Sequence, residues 1–330
     1  MPYMDIVTQG IAGAACAQAF CKPQHARPAA LVGLGAGLLP DADALIRSAN
    51  DPLLQLEYHR HFSHALVFIP IGAALAALLL WPFLRHRIPP TALYRYALLG
   101  YGTGGLLDTC TSYGTHLLWP FSTIPMAWSI IAIVDPVFTL ALLVPLLIGL
   151  IRQLPMRQGL ILATAYLIFG AVQHHRAASA AHDLALSRGH VPERLLVKPT
   201  VGNLVLWRAL YTVGDRVQID AIRLGETHRI YPGANLPLFD PASDLPSKQI
   251  RNDAQRFVAF AQGLTVRHPP DGYFIGDIRY AMLPHSTAPL WGIEYDPTAP
   301  ERHAQYVVKR SLDQTLRRQF IAMLLSHDLP

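Results

Sequence analysis

Charge is scarce in this chain: of 330 residues only 15% are Asp, Glu, Lys or Arg, while 52% are hydrophobic. An average soluble protein carries about 25% charged residues, so this composition argues against an ordinary soluble enzyme. Cysteine is scarcer still. Cys16, Cys21 and Cys110 lie in the first half without a CxxC spacing, which supports neither a zinc ribbon nor a disulfide framework. The net charge of +5 comes from scattered Arg rather than a basic run, so nucleic acid is not indicated. No positive region precedes the small apolar residues 6–20, and a cleaved signal peptide is not expected. Internal repeats and low-complexity segments are also lacking.

The little charge there is falls unevenly. Residues 1–176 carry 10 Lys/Arg and 7 Asp/Glu, whereas residues 177–330 carry 17 and 15. The pattern predicts an α-helical polytopic membrane domain over 1–176, followed by a small α+β soluble domain over 177–330. The clearest spanning segments are 64–84, 135–151 and 158–173, each near the roughly 17–25 residues that cross a bilayer core. Residues 28–46 and 92–110 are weaker, being Gly-rich and interrupted by Asp41, Asp43 and Asp108. Residues 5–20 are weakest and are expected in the interface. Positive residues cluster at Lys22/Arg27, Arg85/Arg87/Arg95 and Arg152/Arg157. The positive-inside bias assigns those loops to the cytoplasm, which puts 47–63 and 111–134 on the periplasmic face, with Arg176 weakly opposed. In the second half, 217–224, 273–283 and 290–295 alternate as half-buried strands do, and 250–263 and 303–326 suggest helices, the latter with Tyr306, Leu316, Phe320 and Met323 or Leu324 on one side.

Four clusters hold the chemistry-bearing residues: Pro40-Asp41-Ala42-Asp43, His59-Arg60-His61-Phe62-Ser63-His64, Asp108 with Thr111 to His116, and Asp135-Pro136. Two carboxylates two residues apart cannot share a helix face, but at an unwound end after Pro40 both can reach one cation or two neighbouring ones. Carboxylate with neutral imidazole suits zinc, manganese or iron. Arg60 suits a phosphate. Each cluster also has a plain structural reading. Asp41 and Asp43 can end a helix, the histidines can sit hydrated in the interface, and Asp135-Pro136 reads as an N-cap with Pro at the first helical position, the reading preferred there. The membrane alternation brings Asp41, Asp43, His59, His64 and Asp108 to one face, and on the residues alone a metal site and a structural cluster both stay open.

The order of MDIVTQGIAGAA (4–15), PDAD (40–43), HRHFSH (59–64), LLDTCTSYGTHLLWPFS (106–122) and IVDP (133–136) resembles the YdjM/YfhP group. These are inner-membrane proteins described as metal-dependent hydrolases and as LexA-regulated or LexA-binding. The likeness covers most of 4–151, and NLVLWRALY (203–211) and DGYFIGDIRY (271–280) more loosely resemble the group's long-tailed members. It implies metal ligands at Asp41, Asp43, His59, His64 and Asp108, with Arg60, Ser63 and Thr115 at polar positions around them. The implied metal is divalent, zinc or else manganese. The implied chemistry is hydrolysis by a metal-bound hydroxide, with Asp43 or Asp108 accepting a proton and Arg60 holding phosphoryl oxygens. Two positions depart from the group: Gly104 and Gln9 stand where many members have His, and His61 or His116 are the available substitutes.

A site at the membrane boundary favours an amphipathic, phosphate-containing substrate in contact with the lipid bilayer. The alternative function is a non-catalytic membrane scaffold whose helices anchor the soluble domain for partner binding. A transporter is disfavoured because the polar residues lie at segment ends rather than mid-bilayer.

Overall fold

The computed structural model describes residues 6–48, 50–243, 245–270, 272–310 and 313–328. Met4 and Asp5 of the first motif, Asp271 of the tail motif, and Ser311 and Leu312 within the expected 303–326 helix lie outside the described residues. The first half contains α1 (Ile6–Ala19), α2 (Ala26–Leu38), the short α3 (Leu54–Tyr58), α4 (Ile69–Leu84), α5 (Pro90–Cys110), α6 (Pro136–Arg152) and α7 (Gln158–Ser187). Short 3-10 segments cover Leu39–Leu45, Phe62–His64 and Leu66–Phe68. The segments expected at 28–46, 64–84, 92–110, 135–151 and 158–173 all fall on these helical elements.

Small residues determine how the helices meet. A Cβ added at Gly13 would lie 2.3 Å from the Gly33 carbonyl oxygen, and one at Gly33 would lie 2.2 Å from that of Gly13, so α1 and α2 touch backbone to backbone. Far from lying in an interface, α1 is enclosed: Gln9 to Ala15 are all buried, and the helix packs against α2, α5 and α6. This corrects the peripheral placement expected of residues 5–20. A helix of Ala and Gly has no bulky stripe to announce a buried face, and here its smallness is what permits burial.

Bulky side chains point outward instead. α4 buries Gly72, Ala73 and Ala76 while exposing Ile71, Leu75, Leu78, Leu79 and Phe83. α6 exposes Val137, Leu140, Val144 and Ile151, and α7 exposes Ile161, Leu162, Ile168 and Phe169. Water would penalise such a surface and hydrocarbon would not. Among the described residues one helical segment, Leu66–Leu84, is both long and apolar enough to cross a membrane, and Pro136–Arg152 is a shorter apolar helix.

The second half is a β-rich domain. Strands β1 (Arg194–Pro199), β2 (Leu206–Val213), β3 (Arg216–Arg223) and β4 (Arg229–Pro237) form one antiparallel sheet in sequential order. After helix α8 (Lys248–Phe260), strands β5 (Thr265–Arg267), β6 (Phe274–Asp277), β7 (Trp291–Glu294) and β8 (Gln305–Val308) form the other, again antiparallel and sequential. Helix α9 (Gln314–Leu324) closes the chain. The strands expected at 217–224 and 290–295 are present, and that at 273–283 is trimmed to Phe274–Asp277. The helix expected over 303–326 is corrected: its first part is β8, where Tyr306 pairs with Ile293, and only Gln314–Leu324 is helical. Helix α7 runs unbroken past residue 177 and packs on β1 and β2. Leu53 and Leu56 share a core with Phe239, Ile250, Phe257 and Ile293, so the α3 segment is built into the tail domain.

Candidate metal centre

Three segments converge at one end of the helical half. Asp41 and Asp43 sit on the 3-10 turn that follows α2, where Pro40 prevents the helix from continuing regularly. His59, Arg60, Ser63 and His64 occupy the stretch from α3 to α4, and Asp108 lies in the last turn of α5. Asp43 organises the middle segment. One oxygen accepts from His59 Nδ1 at 2.9 Å, and the other accepts from the Arg60 backbone N–H at 2.9 Å and the Ser63 hydroxyl at 2.7 Å.

Arg60 adopts the left-handed region at φ 60°, unfavourable for a residue with a Cβ by roughly 1–2 kcal/mol. That conformation aims its N–H at Asp43 and its side chain at Asp108: the guanidinium is fully buried with Nε 3.0 Å from Asp108 Oδ2, and Nη1 donates to Thr111 Oγ1 at 3.1 Å. Tyr113 covers it, 4.8 Å away. Gln9 Nε2 donates to Asp108 Oδ1 at 3.0 Å. His64 is braced from α5, since Tyr101 OH donates to the Ser63 carbonyl at 2.8 Å and the Gly105 backbone lies against the His64 carbonyl.

The consequence is a convergence of lone pairs. His64 Nε2 lies 3.3 Å from Asp41 Oδ1 and 3.1 Å from Asp108 Oδ2. His64 Nε2, Asp108 Oδ2 and Asp41 Oδ2 are all buried without a hydrogen bond among the described residues. Two ligands each about 2.1 Å from a tetrahedral ion are themselves about 3.4 Å apart, so these spacings fit a shared cation. Asp41, His64 and Asp108 form one group whose ligand atoms lie within 4.8 Å of one another, and Asp41, Asp43 and His59 form a second. Charge points the same way. Three carboxylates share the cluster with one fixed guanidinium, an excess of negative charge that a bound cation would offset. The five expected ligands are thus brought together, and the residues present fit a metal.

Other expected residues are placed as follows. Thr115 is buried, bridged through its backbone to Met126, and its hydroxyl has no partner among the described residues. Asp135 is the N-cap of α6: one oxygen accepts from Val137 N and Phe138 N, the other from Tyr166 OH. At Gly104 a Cβ would lie 3.0 Å from Pro40 Cγ, so the turn carrying Asp41 and Asp43 rests where a longer side chain would stand. His61 and His116 stay outside the carboxylate cluster. Their rings lie 4.6 Å apart beside Trp119, and burial pushes both imidazoles below their ordinary value.

These two histidines, with His59 and Tyr113, line a cavity of about 370 Å³ whose opposite wall is Arg256, Ala259 and Phe260 of α8. The tail is fastened there. Arg256 donates to both oxygens of Asp51 at 2.8 and 3.1 Å and to both of Glu57 at 2.5 and 3.0 Å, and Tyr280 OH donates to the Ser112 carbonyl at 2.8 Å. The tail domain and the carboxylate cluster therefore lie on the same side of the helical half. Sequence reasoning missed Gln9 as a partner of Asp108, Thr111 and Tyr113 as supports of Arg60, and Arg256 and Phe260 as cavity wall. The first appeared only as a departure from a motif, the next two lay inside the TSYGT stretch, and the last two had no local signal.

A family model described as YdjM inner membrane protein matches residues 4–177. No curated protein and no solved structure matches the chain.

Proposed function

From the premise that the chain belongs to the YdjM inner membrane protein family, we propose that it is a multi-pass, metal-dependent hydrolase of phosphoesters in amphipathic substrates. In this reading the site and the tail face the periplasm. The observation that supports it best is the approach of His64 Nε2 to carboxylate oxygens from two different segments, with His64 Nε2 and Asp108 Oδ2 buried and lacking a hydrogen bond among the described residues. Asp41, His64 and Asp108 hold the ion in this reading, with Asp43 and His59 completing the set. A divalent ion such as zinc or manganese polarises a phosphoryl oxygen and lowers the pKa of a bound water.

The chain's own residues do the rest. Asp43 accepts hydrogen bonds on both oxygens, and Asp108 accepts one on Oδ1 while its Oδ2 lies beside Arg60 Nε, which suits them to positioning His59, His64 and Arg60. Asp41 Oδ2 is left to accept the proton of the attacking water. Arg60, held on Asp108, offers its unpartnered Nη2 toward developing negative charge. The cavity bounded by His59, His61, His116 and Phe260 receives the substrate, within the usual size range of small-molecule sites. Exposed apolar residues on α4 and α6 suit the helical half to lipid, which favours an amphipathic substrate.

The test is metal content and turnover of the full chain in detergent or bilayers. Wild type retains zinc or manganese through dialysis and cleaves a phosphoester substrate, while His64→Ala and Asp108→Asn lose both. A wild type that stays metal-free after loading, or variants that bind as it does, overturn the reading. The scaffold alternative makes the reverse forecast: the same substitutions leave function intact and deletion of the tail abolishes it.

A further inference from the structure

Strand pairing in the first sheet sets Lys198 directly opposite Arg208, and the two side chains are only 8% and 2% exposed. Like charges facing one another across a ladder repel, and buried cations are ordinarily matched by carboxylates. Here they are not. Arg208 spends its Nη atoms on neutral backbone carbonyls, of Pro284, Ser286 and Ile278 at 2.7–2.9 Å, and its Nε has no partner among the described residues. The Lys198 amine rests on the face of Tyr280, 3.1 Å from the ring centroid. The neighbouring carboxylate, Asp277, is already taken by Arg279 through Nε and Nη2 and approached by the Trp291 indole. Burial, followed by the charge of Arg208, drives the Lys198 amine well below its ordinary value.

A cavity of about 200 Å³ adjoins this pair. Its inner wall includes Lys198, Arg208, Tyr280 and Trp291, and Val134 and Val201 line it at the surface, 39% and 67% exposed. Val134 stands two residues before α6 and accepts a hydrogen bond from Gly202 N at 3.0 Å, which ties the β1–β2 loop to the start of that helix. The exposed side chains of Val137, Leu140 and Val144 continue the apolar surface along α6. The cavity is thus lined within by an amine and a guanidinium and is apolar at the end nearest α6.

We propose that this cavity binds the anionic phosphate headgroup of a membrane lipid, with Lys198 as its direct contact and the acyl portion leaving past Val134 and Val201 along α6. The proposal rests on α6 lying in the bilayer and not on the metal chemistry, and its residues are separate from the Asp/His cluster.

The experiment compares thermal unfolding of the full chain in nanodiscs of phosphatidylcholine alone, of phosphatidylcholine with phosphatidylglycerol, and of phosphatidylcholine with added inorganic phosphate. Anionic lipid is expected to raise the Tm by about 5 °C. Lys198→Met loses that increment yet unfolds no lower than wild type in phosphatidylcholine, because a buried amine set opposite Arg208 has been replaced by an apolar side chain of similar length. Lys198→Arg keeps the increment. Val201→Asp, which sets a carboxylate at the exposed mouth, removes it and guards against the case in which Lys198→Met fails to fold. An equal increment in wild type and Val201→Asp, or none in wild type, overturns the proposal. A full increment from inorganic phosphate with none from phosphatidylglycerol overturns the lipid assignment. Because no readout involves metal or turnover, failure here is distinguishable from failure of the hydrolase reading.

Discussion

Gly105→Ala would put a methyl group where His64 already is. Gly105 lies one turn before Asp108 on α5, and a Cβ there would be 2.2 Å from the His64 carbonyl oxygen and 3.1 Å from its carbon. Carbon and oxygen in ordinary contact are about 3.5 Å apart, so the His64 backbone must withdraw by roughly 1 Å or α5 must tilt away from it. Either movement separates His64 Nε2 from Asp108 Oδ2, which now lie 3.1 Å apart. Metal ligand distances tolerate only about 0.2 Å. Overpacking of this kind costs about 1–3 kcal/mol, and charged against metal binding it weakens affinity by about 10- to 100-fold. Competition of the purified full chain with a chromophoric chelator for zinc measures this directly. Gly102→Ala is the control on the same helix, because the nearest atom to its Cβ is Ile69 Cγ2 at 3.8 Å. If Gly105→Ala binds zinc as tightly as Gly102→Ala and wild type, the ligand geometry inferred at His64 is wrong.

Three further outcomes are expected. Gln9→Ala removes the hydrogen bond to Asp108 Oδ1 and should lower metal affinity by about tenfold in the same titration, whereas an unchanged affinity would separate Gln9 from the site. Asp135→Ala deletes the α6 cap and the Tyr166 contact and should reduce stability by about 1–2 kcal/mol in denaturant melts without altering metal stoichiometry. The Asp51–Arg256 contact should respond to acid. Burial alone would raise the Asp51 carboxyl, but the Arg256 hydrogen bonds and charge, together with the Leu53 N–H, outweigh it and hold it below its ordinary value. A depressed folded value means stabilisation present above about pH 4 and lost as pH falls through the folded value. The Tm gap between wild type and Arg256→Ala should therefore be steady from about pH 7 to 5 and narrow below about pH 4, and a gap unchanged at about pH 2 would refute the assignment.

Local features were legible and long-range ones were not. The five candidate ligands could be read because each stands in a polar cluster inside apolar sequence, where an acidic residue is conspicuous. The cap at Asp135 could be read because capping needs only its immediate neighbours. Enclosure of α1 could not, since it depends on Gly13 meeting Gly33, and small residues leave no hydropathy pattern. Tyr306 fitted a helical period with Phe320 by coincidence, and its pairing with Ile293 outweighs that period. Least legible was the roof over the cavity, because Phe260 and Arg256 lie about 200 residues from Glu57 and His59.

Helix α7 carries an obligation of its own. Its 30 residues form one uninterrupted helix from Gln158 among the apolar segments to Ser187 beside the first sheet. A helix advances about 1.5 Å and turns about 100° per residue, so it acts as a ruler and a protractor together. Adding one residue at its middle would swing the tail about a quarter of a circle around the helix axis. The Arg256 contacts and the α8 wall of the cavity would then face away from His59. The exact length of α7, rather than the identity of its outward side chains, sets whether the two halves of the chain meet in register.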